Sequence, residues 1–221
     1  MLASPAVALF VSFEGLDGSG KSTHLERASR WLAGRGSEHL VTHEPGGTVI
    51  GAAIRKVFLD RRHGAMDPRV ELLLVFAARR QNLVERIEPA LARGHHVLCD
   101  RWTDSTIAYQ GYGRGVPLAD IAEVERLATG GRRPDLTLYF DLPAEQARAR
   151  GHSHHRRASG RVDRLDAEDL AFYERVRAGY LELARSEPER IRVIDSSGSL
   201  ETTEGAVRAA LAPLAPAGAA R

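Results

Sequence analysis

Short apolar runs alternate along the chain with longer segments in which apolar residues recur at helical spacing. The runs predict strands at 7–13, 39–44, 95–100, 135–142 and 190–195. Most of these runs are apolar on both faces, which is typical of parallel strands that helices cover on either side. The pattern therefore predicts an α/β fold in three layers, with a five-stranded parallel sheet between two layers of helices.

The remaining segments predict helices at about 22–33, 48–60, 68–93, 118–129 and 200–214. We expect a loop at 111–117 and a frayed tail at about 215–221. The stretch from 146 to about 166 is polar and basic, and it interrupts the helical pattern on either side. A solvated loop and a mobile lid over a charged ligand both fit this stretch, and we place the lid at about 150–166. Because we find neither a repeat nor a linker, we predict one domain spanning 1–221.

The composition excludes several classes of protein. The 221 residues are 43% hydrophobic and 27% charged, and the formal net charge is only +2, so neither a nucleic acid nor a membrane surface is expected as a partner. The single cysteine, Cys99, excludes an internal disulfide and a zinc site built from cysteines. No apolar stretch reaches the ~18 residues of a membrane span. The start of the chain lacks the basic residues of a signal peptide, and we expect a cytoplasmic protein.

The stretch FEGLDGSGKST, at 13–23, carries the clearest chemistry. Gly15-x-x-x-x-Gly20-Lys21-Ser22 is the phosphate-loop pattern, and it follows a predicted strand and precedes a predicted helix. The glycines let backbone N–H groups turn towards phosphate oxygens, Lys21 adds a charge, and Ser22 offers a hydroxyl to Mg²⁺. A plain glycine-rich turn would leave Lys21 unexplained. We predict a P-loop NTPase fold that binds ATP through Gly15, Leu16, Asp17, Gly18, Ser19, Gly20, Lys21, Ser22 and Thr23.

A phosphate loop does not name the reaction, because GTPases, motor ATPases and small-molecule kinases share it. The later strands carry no NKxD guanine motif, which argues against a GTPase. No basic or repetitive surface indicates a nucleic-acid motor.

Further polar stretches follow the strands, where an open α/β sheet binds its ligands. Glu44 opens EPGGT after the second strand, and Arg55 lies further along the next helix. After the third strand, Asp100 is suited to Mg²⁺ and Arg101 to a bidentate phosphate contact. The groups that could read a base and a sugar here are Ser105, Thr106, Tyr109 and Gln110.

Phe76 and Arg80, in FAARRQ, are four residues apart and share one face of a predicted helix. A ring and a guanidinium on one face can hold a base, because the ring stacks while the guanidinium donates to a carbonyl. The alternative is that Phe76 belongs to the core and Arg80 to the surface.

Seven motifs occur in an order that resembles thymidylate kinases, from near Leu9 to about Leu211. They are FEGLDGSGKST, EPGGT, FAARRQ, DRWTDSTIAYQG, GRG, RPDLTLYFDL and DRLD…FYERVRAGYLELA. The resemblance implies a dTMP kinase, which converts ATP and dTMP into ADP and dTDP for dTTP synthesis. It also implies a homodimer, for which the apolar helix faces around 70–77 and 118–128 are candidates.

The resemblance also implies a role for each matching residue. Phe76 would stack on thymine, and Arg80 would bond its carbonyl. The remaining acceptor site would comprise Thr106 and Gln110 near the base, Tyr109 against the sugar, Ser105 nearby, Arg55 and Arg101 on the monophosphate, and Asp17 on sugar or phosphate. Glu44 and Asp100 would lie near the metal, with Ser22 and Asp100 as its ligands.

Some thymidylate kinases carry an arginine just after the phosphate-loop aspartate, but this chain has Gly18 there. It therefore resembles the class that supplies the arginine from the lid. This lid holds Arg150, Arg156, Arg157, Arg161 and Arg164, of which we favour Arg161 and Arg164. Two features depart from the family pattern, since the lid is long and Asp166 stands where a glutamate is frequent.

The predicted catalytic residues are Lys21, Asp17, Arg101, Arg161 and Arg164. Two alternatives remain open from the sequence. The first is a kinase for another nucleoside monophosphate or for a nucleoside, and the second is a regulator that binds ATP without transferring phosphate.

Overall fold

The computed structural model describes residues 8–158 and 163–215, with the side chains of 152–158 left out. Five parallel strands form one sheet: β1 (Phe10–Gly15), β2 (His39–His43), β3 (His96–Asp100), β4 (Leu136–Asp141) and β5 (Ile191–Asp195). Their order in the sheet is β2-β3-β1-β4-β5. The predicted α/β fold with a five-stranded parallel sheet is confirmed.

Helices cover both faces of the sheet. The first four are α1 (Lys21–Ala33), α2 (Val49–Leu59), α3 (Pro68–Asn82) and α4 (Glu88–Ala92), with a π-helical turn at Leu83–Ile87 between the last two. The others are α5 (Thr103–Thr106), continued by a π-helical segment at Ile107–Gly113, α6 (Leu118–Thr129), α7 (Ala144–Ala158), α8 (Leu170–Ser186) and α9 (Leu200–Ala210). Short 3₁₀ turns lie at Arg61–His63 and Ala212–Leu214.

Side chains along each strand point alternately to the two faces of the sheet and join apolar clusters on both. Phe13, Leu138 and Phe140 pack with side chains of α1 and α9 on one face of the sheet. Tyr139, which points the other way, packs with side chains of α3 and α8. Because β1 lies between β3 and β4, the carboxyl end of β1 is central on the sheet edge, with Asp100 beside Phe13 and Phe140 beside Gly15.

Two segments for which the sequence predicts no helix are helical, wholly or in part. Residues 103–113 are helical, so the loop expected from 111 begins only after Gly113. The stretch at 146–166 is helical up to Ala158, because alanine, glutamine and arginine favour a helix even where no apolar stripe marks one. The predicted tail lies almost entirely outside the described residues. No helix among 8–158 and 163–215 is long and apolar enough to span a membrane.

Candidate active site

The phosphate loop connects the end of β1 to the start of α1. Gly15 has φ +145, and a Cβ on it would lie 2.7 Å from the carbonyl oxygen of Phe140, so this position requires glycine. Lys21 opens α1 and is only 6% exposed. The N-terminus of α1 and the Lys21 ammonium therefore face the same space, as an anion-binding loop requires.

Asp17 lies between two cations within this loop. Its Oδ1 accepts hydrogen bonds from Lys21 Nζ at 3.0 Å and from Arg101 Nη2 at 2.8 Å. Burial alone would raise the pKa of Asp17, but the charges of Lys21 and Arg101 outweigh it and hold that pKa far below the ordinary range. The carboxylate thus keeps the two cations close together.

Ser22 and Asp100 form the candidate metal position. Ser22 Oγ donates to Asp100 Oδ2 at 2.5 Å. Asp100 Oδ1 is buried and has no hydrogen-bond partner within the described residues. No group of three His, Cys, Asp or Glu side chains in that part of the chain could hold a metal ion by itself. The pair fits Mg²⁺, which is bound in kinases by one or two protein oxygens together with nucleotide phosphates.

Two cavities meet at the carboxyl edge of the sheet. The larger, of about 730 Å³, runs along the phosphate loop and also reaches Asp100, Arg150 and Gly151. The narrower one is lined by apolar and polar side chains of α2, α3 and the 103–113 helix. Both are bordered by Asp17, Glu44, Arg55 and Arg101. Ligands in the two cavities would therefore meet at these charged residues.

Arg101 is held rigidly at this junction. It has φ +73, a left-handed conformation that non-glycine residues rarely adopt outside functional sites. Besides Asp17, its guanidinium donates to Ser105 Oγ at 3.0 Å and to Tyr109 OH at 3.3 Å. Arg55, which donates to the carbonyl of Pro45 at 3.0 Å, is the second arginine at the junction.

Comparison with known proteins shows the family of this chain. A model of the thymidylate kinase family matches residues 13–207. The chain belongs to the thymidylate kinase family. It is 48% identical to a thymidylate kinase of Pseudomonas fluorescens over 206 residues, 93% of this chain and 96% of the relative. It is 45% identical to a thymidylate kinase of Syntrophotalea carbinolica, over 88% of this chain and 91% of the relative. A thymidylate kinase of Latilactobacillus sakei is 48% identical, with 88% and 90% covered.

The prediction for Phe76 and Arg80 is corrected by one residue. In this kinase Val75 and Arg79 line the narrower cavity, whereas Phe76 is a core residue, 2% exposed, beneath Arg79. Arg80 is exposed and donates to the carbonyl of Ala128 at 3.4 Å. The spacing of four residues shows which side chains share a helix face, but it leaves open which face meets the cavity.

Arg79 is the buried arginine of the narrower cavity. Its Nε donates to Glu44 Oε2 at 2.5 Å, Nη1 to Thr106 Oγ1 at 2.9 Å, and Nη2 to the carbonyl of Trp102 at 3.1 Å. A guanidinium has five N–H groups, so one on each terminal nitrogen remains for a ligand. The side chains of Phe58 and Leu165, which the sequence did not single out, complete the apolar lining.

Of the two favoured lid arginines, Arg161 and Arg164, the structure describes Arg164 alone. Arg161 lies outside the described residues, as do the side chains of Arg156 and Arg157. Arg164 is only 5% exposed, and it donates to Glu71 Oε1 at 2.5 Å and to the carbonyl of Phe58 at 3.0 Å. It is thus anchored against α2 and α3 and does not line the phosphate-loop cavity.

Arg150 and Asp166 complete the lid region. Arg150 lines the phosphate-loop cavity and donates to the carbonyl of Ser196 at 3.2 Å. Asp166 Oδ2 accepts a hydrogen bond from the backbone N–H of Asp163 at 2.9 Å, which fixes the turn after the lid.

Glu14, which the sequence did not single out, lies beneath the Arg101 contacts. The fully buried carboxyl group accepts from the backbone N–H of Trp102 at 2.6 Å and from Ser105 Oγ at 2.5 Å. Burial and then the negative charge of Asp104 raise the pKa of Glu14 to about 8. Its position in FEGLDGSGKST, one residue before Gly15, was the only signal in the sequence.

Proposed function

We propose that the protein transfers the γ-phosphoryl group of MgATP to the 5′-phosphate of dTMP, giving ADP and dTDP for dTTP synthesis. One observation carries the proposal: a phosphate-loop cavity and a second cavity meet at Asp17, Glu44, Arg55 and Arg101. Two nucleotides bound there would have their phosphates between the same cations, as a direct transfer requires.

The phosphate loop, from Gly15 to Thr23, is proposed to bind the ATP phosphates. Lys21 would neutralise the oxygens of the transferring group, for which it must exchange its bond to Asp17 for bonds to phosphate. Ser22 and Asp100 would hold Mg²⁺, which when bound supplies positive charge at the phosphate oxygens. The Oδ1 of Asp100, for which no hydrogen-bond partner is found among the described residues, supports this assignment.

The narrower cavity is proposed to bind dTMP. Arg55 and Arg101 would bind the monophosphate, and Tyr109 would lie against the deoxyribose. The base would lie between Phe58 and Val75, with Arg79 donating to a carbonyl. Its remaining polar neighbours would be Asp17, Glu44, Ser105, Thr106 and Gln110.

Catalysis in this proposal is positioning and charge stabilisation. The acceptor phosphate is already an anionic nucleophile, so no strong general base is needed. Negative charge shared among the oxygens of a loose transition state makes each nearby cation more stabilising there than in the ground state. Arg150 lines the phosphate-loop cavity and is a further candidate for the lid arginine, while Arg161 stays a prediction.

We place this reaction in the cytoplasm, where its nucleotide substrates are made and used, and we propose a homodimer. Exposed apolar side chains lie on α2 and α3, among them Val49, at 87%, and Leu73, at 57%. Light scattering is expected to give about twice the 24.1 kDa chain mass, and Leu73→Glu to lower it. Leu200→Glu, on α9, is the control that should leave the mass unchanged. A wild-type mass of one chain would contradict the homodimer.

The test of the activity is ADP release from ATP and Mg²⁺ with dTMP, dUMP, dCMP, AMP, GMP and thymidine in turn. Strong stimulation by dTMP is expected, because the second cavity offers both phosphate-binding arginines and a pocket for a pyrimidine. Stimulation by a different monophosphate, or by thymidine, would favour the alternative kinases. Release that no acceptor stimulates would leave only an ATP-binding protein.

A further inference from the structure

A buried cluster of charges lies beside the base end of the narrower cavity. Its centre is Glu71 on α3, which is fully buried. Oε1 accepts from Arg164 Nη1 at 2.5 Å, and Oε2 accepts from Gln110 Nε2 at 3.0 Å and from Arg114 Nε at 3.3 Å. One carboxylate therefore connects α3 with the 103–113 helix and with the segment that follows the lid.

The cluster fixes the orientation of the Gln110 amide. A carboxylate between two guanidinium groups offers acceptors only, so Gln110 must turn its NH₂ towards Glu71. The backbone of Gln110 is also held, because its carbonyl accepts from the N–H of Val116 at 2.9 Å. Since Gln110 lines the cavity, this orientation makes its Oε1 the acceptor that the amide offers to a ligand.

An acceptor at this position distinguishes pyrimidines by their ring nitrogen. Thymine and uracil carry a hydrogen on N3 and can donate it, whereas N3 of cytosine is itself an acceptor. Two acceptors facing each other in a buried site leave both without a partner, which is costly. Arg79 adds a separate preference, since its N–H groups suit a carbonyl at position 4 and oppose the amino group of cytosine.

We propose that Glu71 is a positioning residue for base specificity. By holding the Gln110 amide in one orientation, it makes the pocket select an N3–H pyrimidine over cytosine without touching the base itself. The inference rests on the proposed dTMP kinase activity, and it assigns a part of the specificity to a residue outside the pocket lining.

The test is kcat/KM for dTMP, dUMP and dCMP in the wild type and in Glu71→Gln. A glutamine at 71 can both donate and accept, so the Gln110 amide can turn over. We expect the dTMP:dCMP ratio to fall about tenfold, the effect of about one hydrogen bond. The dTMP:dUMP ratio should stay unchanged, because both bases carry N3–H. A purely structural role of Glu71 would lower all three values by one factor, and that result would overturn the inference.

Two further variants complete the experiment. Glu168→Gln removes the other carboxylate that pairs with Arg114, at 2.7 Å, and should leave both ratios unchanged. Gln110→Met keeps the length of the side chain without its acceptor, and it must lower the dTMP:dCMP ratio even if Glu71→Gln does not fold. An unchanged ratio in Gln110→Met would overturn the inference. A wild type without dTMP-dependent turnover would instead refute the proposed function.

Discussion

At the residue scale, the site is organised by carboxylates that hold cations in place. Asp17 bridges Lys21 and Arg101, and Glu44 holds Arg79. Without these anions the like charges would repel one another in a poorly solvated site. Nucleotide phosphates would provide the same compensation, so we expect Lys21 to exchange Asp17 for phosphate when ATP binds.

Lys21→Ala tests the phosphate-loop charge. We expect kcat to fall by a factor of about 10² or more, the scale of losing one preorganised charge contact. Lys56→Ala, on the exposed surface of α2, is the matched control and should keep wild-type turnover. Steady-state kinetics with saturating dTMP would measure both, and near wild-type turnover in Lys21→Ala would contradict the assignment.

Arg79→Lys and Arg80→Lys test which arginine reads the base. Lysine keeps the charge beside Glu44 but loses the planar fork, so Arg79→Lys should raise the KM for dTMP about tenfold or more. The KM for ATP should change little, because Arg79 does not line the phosphate-loop cavity. Arg80→Lys should change neither constant. A larger increase in the KM for dTMP in Arg80→Lys than in Arg79→Lys would instead support Phe76 and Arg80 as the residues that bind the base.

The contrast between these residues shows what a sequence can reveal about a site. Lys21 and Ser22 could be predicted because their motif is contiguous and its strand and helix are recognisable. Arg79 could not be chosen over Arg80, since the choice depends on the rotation of α3 against the sheet. Arg164 resembled a lid residue, but its partner Glu71 is 93 positions away, and only the folded chain brings the two together.

At the element scale, the lid helix packs directly on the phosphate loop. A Cβ on Gly18 would lie 2.2 Å from the carbonyl oxygen of Ala147 and 2.6 Å from the backbone nitrogen of Gly151. The backbones of α7 and the loop can approach this closely only because Gly18 has no side chain. No helix is predicted here from the sequence, because a helix made mostly of polar residues lacks the apolar periodicity from which helices are recognised.

Gly18→Ala tests this contact. Gly18 has φ +87, and the space around it has no room for a methyl group. The free energy of unfolding should fall by about 1–2 kcal/mol because alanine is strained in a left-handed backbone conformation. Overpacking against α7 should lower it by a further amount of about 1–3 kcal/mol. Gly36→Ala isolates the backbone cost, because Gly36 has φ +72 and no atom of the described residues would lie within 4 Å of the added methyl group. Denaturant unfolding measures both variants. Equal losses would show that α7 moves away from the loop at little cost.

At the scale of the whole molecule, the parallel sheet assembles the site. Every strand ends at the same edge, so the phosphate loop after β1, EPGGT after β2, and Asp100 with Arg101 at the end of β3 converge there. This convergence follows from the sheet order and could be predicted from the strands alone. The buried position of Glu14 beneath that edge could not, and Glu14 links the stability of the fold to pH.

The free energy of unfolding should decrease as pH rises through the range in which Glu14 titrates. Its pKa is raised from 4.5 to about 8, mainly by burial, so between these values the folded state holds a proton that the unfolded state has lost. Between about pH 5 and 8, the free energy of unfolding should therefore decrease less in Glu14→Gln than in the wild type. The two decreases should differ by at least about 1 kcal/mol.

Comparing the two proteins by denaturant unfolding at each pH cancels the other titrating groups. Burial lowers the pKa values of His24, His43 and His96. These histidines therefore raise the free energy of unfolding as pH rises, and they do so in both proteins. The lowered pKa of Asp17 affects stability only at more acidic pH. Identical pH profiles for the two proteins would show that Glu14 is ionised in the folded state throughout this range.

The most direct test of the proposed activity follows the transferred group itself. Purified protein is incubated with ATP labelled at the γ-phosphate, Mg²⁺ and dTMP, and the products are separated by chromatography. The account predicts that the label appears in dTDP, in a one-to-one ratio with ADP. Label found only in inorganic phosphate, or remaining entirely in ATP, would contradict the assignment of a dTMP kinase.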